Sequence, residues 1–221
     1  MKYLDLGLPA LLALATVASV FIALFAFWLA PPPGGKASAD ESVKAVVMVS
    51  EGEMTLGADD APVTIIEYAS MSCHHCAQFH RTTFPDLKKH YIDTGKVRFI
   101  FREFPINKPA LEGAMVARCA GPDRFFAFLK LLFSKQAKWA TINDTGKLVS
   151  VAKLGGMTED TVKQCLENES VKKLVLDMRM TGEREYKVTS TPTLVVNGEA
   201  HSGALSFEEL EKILKPLLPA T

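Results

Sequence analysis

The sequence predicts an α/β fold, and three observations predict it. A β-branched run, Val63-Thr64-Ile65-Ile66-Glu67-Tyr68, gives way directly to helical spacing. A second alternating run, Lys96 to Arg102, follows that helix. The strand pattern then returns at Thr193-Leu194-Val195-Val196, after a long stretch of helical periods. Strands interleaved with helices in this way build a sheet with helices packed against it.

The elements follow in order. Between Leu6 and Ala30 no residue is charged, and this run of 25 residues is long enough to cross a bilayer core, which takes about 20. Ala37-Ser38-Ala39 before Asp40 is an A-x-A cleavage pattern. Residues 1–39 therefore read as a signal peptide or an N-terminal membrane anchor, with Pro31-Pro32-Pro33-Gly34-Gly35 as a linker that starts stiff and becomes flexible. Residues 40–53 read as a linker or N-terminal extension. The folded part is expected in an exported compartment, where disulfides persist.

After the strand Val63 to Tyr68, Phe79, Phe84, Leu87 and Tyr91 can share one helix face, and Pro85 is expected to kink that helix. The strand over Lys96 to Arg102 ends before Pro105. From Pro109 to about Tyr186 the periods are helical, broken at Gly121-Pro122, Asn143-Asp144 and Gly155-Gly156. Thr158 reads as an N-cap with Glu159 and Asp160 in the first turn. Asn197-Gly198 is a hairpin turn, and Ser206 with Glu209 forms a capping box opening a last helix toward Leu214.

Of 221 residues, 48% are hydrophobic and 23% charged, which suits a globular domain with a sizeable core. Lys plus Arg equals Asp plus Glu at 25 each, with no block of like charge, so no footprint for nucleic acid or anionic lipid exists.

The chemistry concentrates in Cys73-His74-His75-Cys76. Two cysteines with two residues between them, at a strand-to-helix junction, form a redox signature. A sulfur at the first helical turn meets unpaired backbone N–H groups and the positive end of the helix dipole, so its thiolate is favoured. Half of a zinc site and a purely structural bridge are the competing readings. Neither Cys119 nor Cys165 supplies a second C-x-x-C, although Cys76 and His80 are one helical turn apart. Thr191-Pro192 just before a strand favours redox chemistry, because that arrangement sets a cis-proline loop beside such a dithiol. Cys119 and Cys165 fall in separate helices. A bond between them would close a loop of roughly 46 residues and stabilise by up to about 4 kcal/mol; two buried free thiols are the alternative. His80, His90 and His201 show no partner pattern and read as solvent-facing, and Phe125, Phe126, Phe128 and Trp139 as core and surface of the helical block.

Three separated segments carry a family resemblance: Leu56-Gly57-Ala58-Asp59-Asp60-Ala61-Pro62-Val63-Thr64 with Glu67, then the C-x-x-C motif, then Ser190-Thr191-Pro192-Thr193 with Val196-Asn197-Gly198. From Leu56 to its C-terminus the chain resembles DsbA-type thiol-disulfide oxidoreductases. The resemblance implies a thioredoxin-like fold with an inserted helical domain: a thioredoxin-like domain over 54–106 plus 187–221 and the helical insertion over 107–186. It implies a periplasmic protein-disulfide oxidoreductase, a dithiol oxidase that donates a Cys73–Cys76 disulfide to folding exported proteins. Such a protein is released after signal cleavage or anchored to the inner membrane by residues 6–30. A quinone-linked membrane partner of the DsbB kind would reoxidise it.

By position, Cys73 is the attacked sulfur and Cys76 its resolving partner. His75 is the dipeptide residue whose protonated ring can stabilise the thiolate, and Glu67 is a buried acid that shuttles protons. Thr191 and Pro192 form the cis-proline loop that binds substrate backbone, and His74 stands at the substrate face where the best-known members have proline. No metal, nucleotide or flavin cofactor is required. Thr191 also fits isomerase-type relatives, so a reductase or isomerase is the alternative, with a non-catalytic peptide- or metal-binding module behind it. No dimerisation segment is visible between Asp40 and Met54, and a monomer is expected.

Overall fold

The computed structural model describes residues 52–141 and 144–219. The leader or anchor expected over 1–39, and the extension as far as 51, lie outside the described residues. Among the described residues no helix is long and apolar enough to cross a membrane.

The fold is thioredoxin-like. Five strands form one mixed sheet in the order β1-β3-β2-β4-β5: β1 Met54–Leu56, β2 Val63–Ala69, β3 Val97–Glu103, β4 Thr193–Val196 and β5 Glu199–Ser202. Central β2 runs parallel to β3 and antiparallel to β4, while β1 pairs antiparallel with β3 at one edge and β5 with β4 at the other. A central strand covered on both faces can be apolar throughout, and six of seven β2 residues are buried. Its two faces feed different clusters. Val63, Ile65 and Ala69 join the main core, whereas Ile66 and Tyr68 pack with Ile100, Phe104 and Val195. By alternation Glu67 shares the main-core face. The β4–β5 turn has Asn197 and Gly198 both at positive φ, 46° and 94°, as a tight two-residue hairpin needs.

The helix after β2 is irregular. It comprises α1 His74–Thr82, α2 Phe84–Leu87 and a π-helical turn over Lys88–Ile92. Pro85 lacks the N–H that would continue the ladder at the α1–α2 junction, which accounts for the expected break. Among the described residues the elements between β3 and β4 are helical: α3 Lys108–Cys119, α4 Phe125–Ser134, α5 Gln136–Trp139, α6 Thr145–Leu154, α7 Glu159–Leu166 and α8 Glu169–Tyr186. The last α-helix among the described residues is α9 Phe207–Leu214, continued by a 3-10 turn over Lys215–Leu217. Thr158 caps α7 by accepting from the Thr161 N–H. Ser206 and Glu209 make both bonds of the capping box.

Two polar devices fix the helical block to the sheet. At the end of β3, Glu103 receives two hydrogen bonds from the fully buried Arg118 of α3, at 2.6 and 2.8 Å. Removing one partner of such a pair leaves an uncompensated buried charge and costs about 3–5 kcal/mol. Asn107 caps α3 by accepting from the Ala110 N–H and also accepts from the Ser72 hydroxyl, so one side chain ties the helix start to the loop before the cysteines. Close packing supports both. A Cβ at Gly113 would lie 2.5 Å from the buried Trp139 ring, so no larger residue fits there.

Candidate active site

Cys73 is the N-cap of α1, and both it and Cys76 are free thiols. The β2 strand runs into this turn, and the helical block holds it from the other side. The Gln136 side-chain amide donates to the carbonyls of Met71 and Cys73, each at 2.9 Å. A short side-chain clamp of this kind sets where the first helical turn begins.

The two sulfurs occupy opposite environments. Cys73 is partly exposed, and its pKa is lowered to about 4. Hydrogen bonding from Cys76 is the largest cause; the side chain of Thr191 and the backbone N–H groups of Cys76 and His75 add to it, while partial burial opposes. Cys76 has no solvent exposure, and its pKa is pushed far up, first by burial and then by the bond to Cys73 and the charge of Glu67. One sulfur is therefore held as thiolate and the other as thiol. As a thiol, Cys73 donates to the Thr191 carbonyl at 3.3 Å. The Thr191–Pro192 peptide bond is cis. The cis-proline loop thus stands directly against Cys73, 118 residues away in sequence.

The remaining expected residues are placed as follows. His74 and His75 are exposed on the first turn of α1, with ring centroids 3.8 Å apart. His75 supports the Cys73 thiolate through its backbone N–H, and its ring is exposed. Glu67 is fully buried beneath α1, and its charge is felt at Cys76. Cys119 and Cys165 lie away from this turn and are bonded to one another, joining α3 to α7.

One member of the constellation differs from the sequence reading. His80, read as solvent-facing, has a side chain only 5% exposed, with Nε2 2.8 Å from Oε2 of Glu67. Its ring stacks on Phe133 at 4.6 Å and packs on Phe84 at 4.7 Å. The available signal was its position one turn after Cys76; its partner comes from strand β2. Among the described residues no three His, Cys, Asp or Glu side chains converge as metal ligands.

The family model described as Thioredoxin matches residues 49–216. A Rickettsia conorii protein described as a protein-disulfide oxidoreductase is 36% identical over 74% of this chain and 60% of its own length. The chain thus spans about 60% of such relatives. Disulfide bond formation protein D of Bacillus subtilis is 27% identical over 75% of this chain and 77% of that protein. Among solved structures, α-DsbA1 of Wolbachia pipientis superposes with a TM-score of 0.70 at 29% identity, covering 77% of this chain and 93% of that one.

Proposed function

The chain belongs to the thioredoxin family, among its DsbA-like protein-disulfide oxidoreductases, and we propose that it is an exported dithiol oxidase that donates a Cys73–Cys76 disulfide to folding secreted proteins. The opposed proton affinities of the two sulfurs carry this reading: Cys73 is held as thiolate down to about pH 4, while Cys76 stays a thiol. Stabilising the reduced form in this way makes the oxidised form a strong disulfide donor.

Each turn of the cycle balances. A substrate thiolate attacks Sγ of Cys73, the Cys73–Cys76 bond breaks, and its electron pair leaves on Cys76, which takes up a proton. The substrate's second thiolate then attacks the substrate sulfur of the mixed disulfide, and Cys73 departs as thiolate. The substrate has lost two electrons and the enzyme dithiol has gained them. An extended substrate segment lies along the Thr191–Pro192 loop, where proline has no N–H to donate and Thr191 offers its backbone. His74 is a substrate-facing residue on the exposed turn. A membrane quinone-linked partner reoxidises the dithiol. Export is supported by the apolar run at Leu6 to Ala30 and by the Cys119–Cys165 bridge, which suits an oxidising compartment.

The direction is tested by unfolding the oxidised and reduced forms in denaturant across pH. The folded-state pKa of Cys73 lies below its ordinary value near 9, so the thiolate's contribution is fully present above about 9 and is lost as pH falls through about 4. The reduced form should be the more stable one at pH 7, with an advantage that shrinks toward pH 4. An oxidised form that is the more stable at pH 7 would promote the reductase or isomerase alternative.

A further inference from the structure

Resting on that reading, we infer that His80 is a positioning residue that carries protons between solvent and the buried Glu67–Cys76 half of the site. Cys76 must gain a proton when the disulfide opens and lose it when the disulfide re-forms, yet it has no solvent exposure. Glu67, beneath it, is equally sealed. Of its two carboxyl oxygens, Oε2 is engaged by His80, and Oε1 is buried with no hydrogen-bond partner among the described residues, which leaves it free to hold a proton, while the charge of Glu67 acts on Cys76.

His80 is also the member of the pair that borders a cleft: it is among the residues lining a space of about 770 Å³ between the α1–α2 segment and α4, walled by Phe84, Phe126, Leu129 and Phe133, and its side chain keeps 5% exposure where that of Glu67 has none. Among the described residues few titratable groups stand near His80. Glu67 lies on β2, Cys76 on its own helix, and Arg81, Lys88 and Lys130 stand around the cleft, Lys88 being paired with Asp93. From β3 and α4 only the rings of Phe101 and Phe133 meet it. An imidazole packed among aromatic rings, with one nitrogen on a buried carboxyl and a cleft beside it, has a second nitrogen through which a proton can be passed on.

When Cys76 leaves as thiolate, Nε2–H of His80 gives a proton to the Glu67 carboxylate, Glu67 hands it to Cys76 and returns to carboxylate, and His80 takes a replacement from the cleft. Reoxidation by an external disulfide reverses the path. Cys73 thiolate attacks the disulfide and expels one thiolate; Cys76 then passes its proton to Glu67, attacks Cys73 and expels the second.

The experiment follows reoxidation of the reduced full-length protein by oxidised glutathione against pH. His80→Phe keeps the aromatic packing, and His80→Gln keeps a polar contact to Glu67. Either variant should slow the proton-dependent step roughly tenfold or more and shift the pH profile, within the usual size of a general acid–base contribution. The Cys73 titration near 4 should stay in place. In His80→Ala, imidazole added to the buffer should restore the rate, whereas pyrazole, similar in shape but a much weaker base, should not. An unchanged pH profile in both packing variants, or equal rescue by pyrazole, overturns the inference. Wild-type protein that fails to exchange with glutathione at all would instead remove the oxidase reading beneath it.

Discussion

The two cysteine pairs share one chain and one kind of chemistry but sit in opposite surroundings. Cys73 stands partly exposed at the start of α1, against the cis-proline loop, with Cys76 sealed one turn inside. Cys119 and Cys165 are both buried, at 2% and 0% exposure, and join two helices of the block between β3 and β4. Exposure and the asymmetry of charge, rather than the sulfur atoms themselves, decide which pair can exchange. A bridge without access is a staple; an accessible sulfur with a low pKa is a reagent.

The sharpest way to break this comparison is to remove one sulfur of the exchanging pair. Cys73→Ser should abolish disulfide transfer altogether, because no other thiolate faces the substrate loop. Cys76→Ser should leave mixed disulfides on Cys73 unresolved, visible as adducts on non-reducing gels. If Cys73→Ser traps substrates as well as Cys76→Ser does, the assigned roles are reversed.

The second test acts on the staple. Replacing both Cys119 and Cys165 with Ala should leave glutathione exchange unchanged while lowering stability. Loss of a crosslink spanning 46 residues removes up to about 4 kcal/mol on the chain-entropy model, a fall in Tm on the order of 10 °C for a domain of this size. Calorimetry of the double variant measures it. An exchange rate that falls together with Tm would mean that the helical block communicates with the redox turn, for which Gln136 provides the physical link.

Most of this division can be read in the residues themselves. The β-branched run into C-x-x-C, the Pro85 break, the Asn197-Gly198 turn and the Ser206–Glu209 box are local signals, and the structure realises each. What escapes is what depends on partners distant in sequence. Strand β1 has only three residues and is defined by pairing with Phe99 to Phe101. The π-helical turn at Lys88–Ile92 has no sequence signature. His80 looks like any helix histidine, because nothing in its neighbours says that β2 places a buried carboxylate 2.8 Å away. Glu67 fits the family pattern, but its burial follows from its face of a strand covered on both sides.

The smallest expected effect separates two ways in which a histidine before the second cysteine can help its neighbour. If the His75 ring stabilises the thiolate as a cation, His75→Ala should raise the Cys73 pKa visibly. The structure gives His75 a role through its backbone N–H, with hydrogen bonding from Cys76 as the largest contribution, and leaves the ring exposed to solvent. His75→Ala should therefore leave the titration close to 4, since alanine keeps the same N–H. His75→Pro deletes that N–H while remaining compatible with the first turn of a helix, so it should raise the pKa. Thiolate absorbance against pH reads both variants. A large rise in His75→Ala would restore the ring to the mechanism and make the pair's asymmetry a matter of side-chain charge as well as of helix geometry.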